Sequence, residues 1–151
     1  PLLKQLKSKY PDYRIVYNFS EDTIHNYFKD DPPCPGIIEA DFDGNGEMDW
    51  AFLLTYKQKQ KFIIIAALQI NNKWSLEAVT KFKGKLPYEL YLEVAKPGTY
   101  EALDEIEVIT KCWQEGFRNK YTSSTAGIWY MYMEKEGVAC FRTKEGWIKI
   151  N

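Results

Sequence analysis

The chain has 151 residues, a length that fits one domain with a sizeable hydrophobic core. Its formal net charge of −1 provides no strong field to attract nucleic acid or an anionic membrane surface. The longest apolar run, Phe62–Leu68, is far shorter than the roughly 18 residues of a membrane span, so we expect no transmembrane segment.

Two short helices are predicted at the N-terminus. Apolar residues recur at helical spacing from Leu2 to Tyr10, and Pro11 ends the pattern. Ser20 is a suitable N-cap for a second helix, whose buried stripe would lie within residues 24–28. We therefore expect residues 1–30 to form a helical N-terminal segment.

Residues 41–49 read D-F-D-G-N-G-E-M-D, the pattern in this chain that is richest in chemistry. Side-chain oxygens fall at positions one, three, five and nine of this stretch, and Gly46 occupies position six, where a sharp reversal favours glycine. Calcium takes six to eight oxygen ligands, and alternate residues of a turning loop can direct that many inward. The predicted ligands are the side chains of Asp41, Asp43, Asn45 and Asp49, the main-chain carbonyl of Glu47, and a water molecule.

The flanks of this loop argue against an EF-hand. Such a hand needs a bidentate Glu at position twelve and a helix on each side, whereas position twelve here is Phe52 and both flanks are short apolar runs typical of strands. A plain polar turn is the alternative, because Asp, Asn and Gly tolerate positive φ. A turn needs only one or two such residues, and three aspartates without a cation would repel one another. The sequence therefore favours a calcium loop between two strands.

The pattern D-x-D-x-N-G-x-x-D between two strands resembles the calcium loop of FG-GAP and VCBS-type repeats, found in integrin α-chain propellers and many secreted bacterial proteins. The resemblance covers residues 36–54 and carries over the ligand positions named above and the loop glycine, Gly46. A propeller needs several blades, and the sequence contains no second copy of the loop. More broadly, the chain resembles small exported bacterial proteins of unassigned function. The resemblance implies a periplasmic or secreted protein.

From residue 36 onward, alternating and continuous apolar runs predict a β-rich body that extends to residue 151. The two near-continuous runs, Trp50–Tyr56 and Phe62–Ile70, are expected to be central strands covered on both faces. The chain is thus predicted to be one α+β domain, with two N-terminal helices and a mostly antiparallel curved sheet or small sandwich of about eight strands.

Residues 114–127 form the longest irregular stretch predicted by the sequence. Long irregular segments in compact domains are often functional, and aromatic residues with Arg are typical of protein interfaces. Phe117, Arg118 and Tyr121 are therefore candidate partner-binding residues, with a plain surface loop as the alternative.

Catalytic motifs are sparse. His25 is the only histidine, so any Ser-His-Asp triad would have to use it. The sequence contains no P-loop and no dinucleotide glycine motif. Among the three cysteines, a Cys112–Cys140 disulfide and unpaired thiols are both open, and none has zinc spacing.

These observations favour a non-catalytic, extracytoplasmic β-rich module with one structural calcium loop, used for protein interaction. The alternative is a small inhibitor or immunity protein that occludes a partner enzyme. A nucleic-acid partner is not expected.

Overall fold

The computed structural model describes residues 1–23, 34–56, 61–83, 90–102, 118–132 and 137–150. Within them, the chain forms one helix of eight residues and eleven β-strands. The helix α1 and the strands β1 to β11 have the following bounds: α1 Leu2–Lys9, β1 Tyr13–Ile15, β2 Ile37–Ala40, β3 Asp49–Tyr56, β4 Lys61–Ile70, β5 Lys73–Lys83, β6 Leu90–Ala95, β7 Gly98–Glu101, β8 Lys120–Ser123, β9 Gly127–Tyr132, β10 Val138–Thr143 and β11 Gly146–Ile150.

The predicted α+β class with two N-terminal helices is wrong, because the described chain is mostly β and has only one short helix. Where the second helix was expected, the described residues contain a single helical turn, Glu21–Thr23, which Ser20 caps by accepting the Thr23 N–H at 3.3 Å. Its predicted buried stripe, residues 24–28, lies outside the described residues. The physical reason for the class is that α1, at eight residues, is too short to form a layer of its own.

The strands form three antiparallel sheets. In the first, the order is β1-β3-β4-β5, and β2 also pairs with β3. The second has the order β11-β10-β9-β6, and the third is the two-stranded ribbon β7-β8. The predicted antiparallel arrangement is therefore confirmed, but with eleven strands rather than eight.

The first and second sheets pack against each other, and each packs against a smaller element on its other face. Between the first and second sheets lies the main core, which includes Leu53 and Ile64 from the first and Ile128 and Cys140 from the second. The outer face of the first sheet packs against α1 through Leu6. On the other side, the second sheet packs against the β7-β8 ribbon. Both large sheets are thus covered on both faces, which explains why β3 and β4 are almost continuously apolar, as predicted.

The β7-β8 ribbon was not predicted, because it falls partly in the stretch that we expected to be irregular. Its sequence is largely polar, and only Tyr100 and Tyr121 pack against the second sheet, each beside the ring of Phe141. Cross-strand pairing forms this ribbon, without the long apolar alternation by which strands are recognised in a sequence.

Two of the three cysteines are described, and both are free thiols. Cys34 is exposed, whereas Cys140 is buried in the main core, where desolvation raises the pKa of its thiol to about 12. The sequence left a Cys112–Cys140 disulfide open, and Cys112 lies outside the described residues.

A polar clamp joins the first and second sheets near one edge. Arg142 on β10 donates two hydrogen bonds to the Glu77 carboxylate on β5, from Nε to Oε2 at 3.0 Å and from Nη2 to Oε1 at 2.9 Å. Trp147 on β11 adds a third, from Nε1 to Oε2 at 3.0 Å. A bidentate Arg–carboxylate pair fixes geometry as well as adding energy, so this clamp holds the two sheets in register.

Candidate metal centre

The acidic loop connects β2 and β3, two antiparallel strands whose last paired residues are Ala40 and Asp49. The predicted strand–loop–strand context is therefore confirmed. Two glycines in the loop adopt the left-handed conformation, Gly44 at φ 78° and Gly46 at φ 84°. An added Cβ at Gly44 would lie 2.8 Å from Cγ2 of Thr125, so the loop also approaches the turn between β8 and β9 closely.

The carboxylate of Asp41 closes the loop on itself. Its Oδ1 accepts backbone N–H groups from Gly44 at 2.7 Å and Asn45 at 3.2 Å, and its Oδ2 accepts that of Gly46 at 2.9 Å. A carboxylate oxygen has two lone-pair directions, so these bonds leave acceptor capacity for a further ligand. Asp41 thus occupies position one of the loop with the backbone folded around its side chain.

Asp43 and Asn45 extend this network. The Oδ1 of Asp43 accepts the backbone N–H of Asn45 at 3.1 Å. The side-chain amide of Asn45 donates to the Gln69 carbonyl oxygen at 2.8 Å and to Oδ2 of Asp43 at 3.2 Å. Its Oδ1 accepts the Glu47 N–H at 2.6 Å, which fixes the amide orientation and leaves one lone pair on that oxygen. The loop is thereby tied to the end of β4.

Asp49 is the innermost member of the loop and has no solvent exposure. Its Oδ2 accepts the Phe42 N–H at 2.9 Å, and its Oδ1 accepts the Gln69 N–H at 2.7 Å. Burial raises the pKa of Asp49, two backbone hydrogen bonds lower it, and the nearby charges of Asp43 and Asp41 raise it further. The net direction is upward, so ionising this group costs more in the folded protein than in the unfolded chain.

The sign of this effect on stability follows from linkage. Because the folded-state pKa of Asp49 lies above its ordinary value of 3.8, its contribution to stability is fully present below that pH and is lost as the pH rises through the raised pKa. At neutral pH, the ionised Asp49 therefore lowers the free energy of unfolding unless a positive charge compensates it.

Three carboxylates converge at the centre of the loop. One oxygen from each of Asp41, Asp43 and Asp49 lies within 4.8 Å of the others. Calcium–oxygen distances are about 2.3–2.6 Å, so two ligands on opposite sides of one ion are separated by about 5 Å. The three oxygens are therefore close enough to share a single ion, and their hard, anionic character suits calcium.

Four further residues complete the surroundings of the loop, and none of them was predicted from the sequence to belong to the site. Phe42 is fully buried and contacts Trp147 edge to face, with ring centroids 6.5 Å apart. The backbone of Gln69 accepts a hydrogen bond from the Asn45 side chain and donates one to Asp49. Thr125 packs beside Gly44. Only Phe42 left a signal in the sequence: if Asp41 and Asp43 face the loop centre, the residue between them faces the core.

Arg142 supplies a positive charge to the neighbourhood of the loop. Its pKa is raised mainly by the hydrogen bonds to Glu77, and also by the negative charges of Asp43 and Asp49. The guanidinium is already held by Glu77, however, and it makes no ion pair with the three aspartates within the described residues. It offsets only part of the negative charge of the cluster.

The candidate partner-binding residues lie away from the acidic loop in sequence and differ in setting. The Arg118 N–H donates to the Lys149 carbonyl oxygen at 2.9 Å, and the residue is exposed. Tyr121 is half-buried against Phe141, with ring centroids 5.6 Å apart. Phe117 lies outside the described residues, as does His25. Of the two described residues, Arg118 is exposed and Tyr121 is half-buried.

No protein-family model matches this chain, and no curated protein or solved structure matches it significantly. Within the described residues, no helix has the length and apolar character needed to cross a bilayer. Function is therefore inferred from the chemistry of the loop itself.

Proposed function

We propose that residues 41–49 form a structural calcium site. The ligands would be the side-chain oxygens of Asp41, Asp43, Asn45 and Asp49 and the main-chain carbonyl of Glu47, completed by water. The observation that carries this proposal is the convergence of three carboxylate oxygens within 4.8 Å while one of the three residues, Asp49, is fully buried.

The electrostatic reason is that buried charges need compensation. Taking an ionised carboxylate out of water costs several kcal/mol unless it is paired or coordinates a metal. A divalent cation would offset most of the negative charge of the three carboxylates and would favour the ionised form of Asp49. Backbone N–H donors to Asp41 and Asp49 supply partial compensation, and the remaining negative charge supports a bound cation.

Calcium suits this loop better than magnesium does. Magnesium needs nearly ideal octahedral geometry at about 2.0–2.1 Å and retains several waters, whereas calcium accepts irregular sets of six to eight oxygens. The oxygen atoms here all come from one short loop, so the backbone spacing, and not an octahedron, sets their positions. We therefore propose calcium as the preferred ion.

The ion would act on stability rather than on catalysis. The loop joins β2 to β3 and is tied to β4 through Gln69, so a bound ion would fix three strands of the first sheet together. A ligand that binds only the folded state stabilises it by mass action. We propose a non-catalytic, β-rich module that uses this rigid frame for protein interaction.

The proposed setting is extracytoplasmic. Loops in extracellular modules bind calcium with dissociation constants of about 10⁻⁴–10⁻³ M, an affinity that suits millimolar calcium outside the cell. The resemblance of the loop to FG-GAP and VCBS-type repeats of secreted bacterial proteins supports the same proposal. We therefore propose a periplasmic or secreted bacterial protein.

Isothermal titration of the calcium-free protein tests the site. We expect one calcium ion per chain with a dissociation constant of about 10⁻⁴–10⁻³ M and weaker binding of magnesium. Asp43→Asn should weaken calcium binding at least tenfold, because it removes one anionic ligand. Since Asp43 is only partly buried and the hydrogen bonds that it accepts come from Asn45 within the loop, the variant should fold.

The matched control is Asp12→Asn, which removes an exposed carboxylate from the turn after α1. It should bind calcium as the wild type does. The site assignment fails if millimolar calcium produces no saturable binding, or if Asp43→Asn binds calcium as tightly as the control.

A further inference from the structure

A second concave site lies between α1 and β1, on the outer face of the first sheet. Its volume is about 640 Å³, within the range of about 300–1,000 Å³ that is usual for small-molecule sites. The site belongs to a different part of the sheet from the acidic loop. Leu54 lines it, and this residue is five positions along β3 from Asp49, a distance of about 16 Å at the rise of an extended strand.

Apolar side chains line this cavity both in its buried part and at its exposed edge. Leu6 and Leu54 are 5% and 2% exposed and line its inner part. Leu3 and Tyr17 also line the cavity, yet they are 60% and 59% exposed. These two are the most exposed large hydrophobic side chains described in the protein. An apolar ligand in the cavity could therefore contact both buried and exposed apolar side chains.

The charges that line the cavity all have one sign. Lys7 from α1 and Arg14 from β1 contribute, and no Asp or Glu lines it among the described residues. Neither cation forms an ion pair with another described residue. Two unpaired cations beside an apolar surface are complementary to an anionic group on an apolar ligand.

Aromatic rings add rigid contact area to the cavity. Tyr10 and Tyr13 meet edge to face, with centroids 5.8 Å apart, and Tyr13 in turn contacts Tyr56 at 5.2 Å. The cavity therefore combines apolar side chains, tyrosine rings and two cations.

We propose that this cavity binds a small amphipathic carboxylate of the medium-chain fatty-acid class. The carboxylate would lie between Lys7 and Arg14, and the alkyl chain would lie along Leu6 and Leu54. The site is independent of the calcium loop, so loss of calcium binding in Asp43→Asn would leave it intact.

Titration with decanoate, followed by isothermal calorimetry and by protein NMR, tests this proposal. We expect saturable binding of one decanoate per chain, with chemical-shift changes centred on residues 3–17. The Lys7→Gln and Arg14→Gln double variant should weaken binding at least tenfold, because it removes both cationic hydrogen-bond donors to the carboxylate. Both side chains lie on the surface, and a melting curve verifies that the variant folds.

Two controls separate recognition of the carboxylate from adsorption to an apolar surface. Lys144→Gln removes an exposed lysine from the turn between β10 and β11 and should bind decanoate as the wild type does. Decylammonium carries the same chain with the opposite charge and should not bind. The proposal is overturned if decanoate shows no saturable binding, if decylammonium binds equally well, or if the double variant matches the Lys144→Gln control.

Discussion

Asp49→Ala is expected to lower the free energy of unfolding by about 2–4 kcal/mol, measured by urea denaturation in excess EDTA. The substitution removes the acceptor for the N–H groups of Phe42 and Gln69, and each buried donor left unpartnered costs about 1–3 kcal/mol. Removing the buried charge offsets part of this loss, because the ionised Asp49 is itself unfavourable beside Asp41 and Asp43.

Asp43→Ala is the matched control for this loss. Asp43 is partly exposed, and the hydrogen bonds that it accepts come from Asn45 within the loop. Its replacement should change the free energy of unfolding in EDTA by about 1 kcal/mol or less. Similar losses in the two variants would show that Asp49 is not the anchor of the loop. In saturating calcium, both variants should lack the stabilisation that the wild type gains.

Phe42→Ala is expected to cost about 3–5 kcal/mol of stability, the usual range for truncating a fully buried phenylalanine. Phe42 has no solvent exposure, belongs to the core between the two large sheets and contacts Trp147. Its loss should also weaken calcium binding, because the buried Phe42 ring holds in place the backbone whose N–H donates to the carboxylate of Asp49. Urea denaturation and a calcium titration measure the two effects.

Met48→Ala is the control from the same loop, because Met48 is 50% exposed. It should change stability by about 0.5 kcal/mol or less. If Phe42→Ala were as mild as Met48→Ala, Phe42 would not join the loop to the core. If Phe42→Ala lowered stability and left calcium affinity unchanged, the site would form without that anchor.

The central strands could be predicted from the sequence because their signal is local. Trp50–Tyr56 and Phe62–Ile70 are apolar at nearly every position, which only strands covered on both faces require. The loop between β2 and β3 could also be predicted, since its alternating side-chain oxygens and Gly46 lie within nine residues. Both features depend on residues that are close in the sequence.

The remaining features depend on contacts between distant segments. Glu77 and Arg142 are separated by 65 positions, and neither residue carries a signal of the other in one sequence. The β7-β8 ribbon is equally hidden, because its polar strands meet only in the folded chain. The second helix was predicted from Ser20, a local signal. Ser20 does cap a helical turn, Glu21–Thr23, and the rest of the predicted helix lies outside the described residues.

The most direct test of a structural calcium site is a thermal melting curve recorded in excess EDTA, in millimolar calcium and in millimolar magnesium. We predict that calcium raises the melting temperature by several degrees relative to EDTA, that magnesium raises it much less, and that Asp43→Asn abolishes the calcium effect. Identical melting temperatures in EDTA and calcium would contradict the proposal. In that case, residues 41–49 would be a hydrogen-bonded polar turn between β2 and β3.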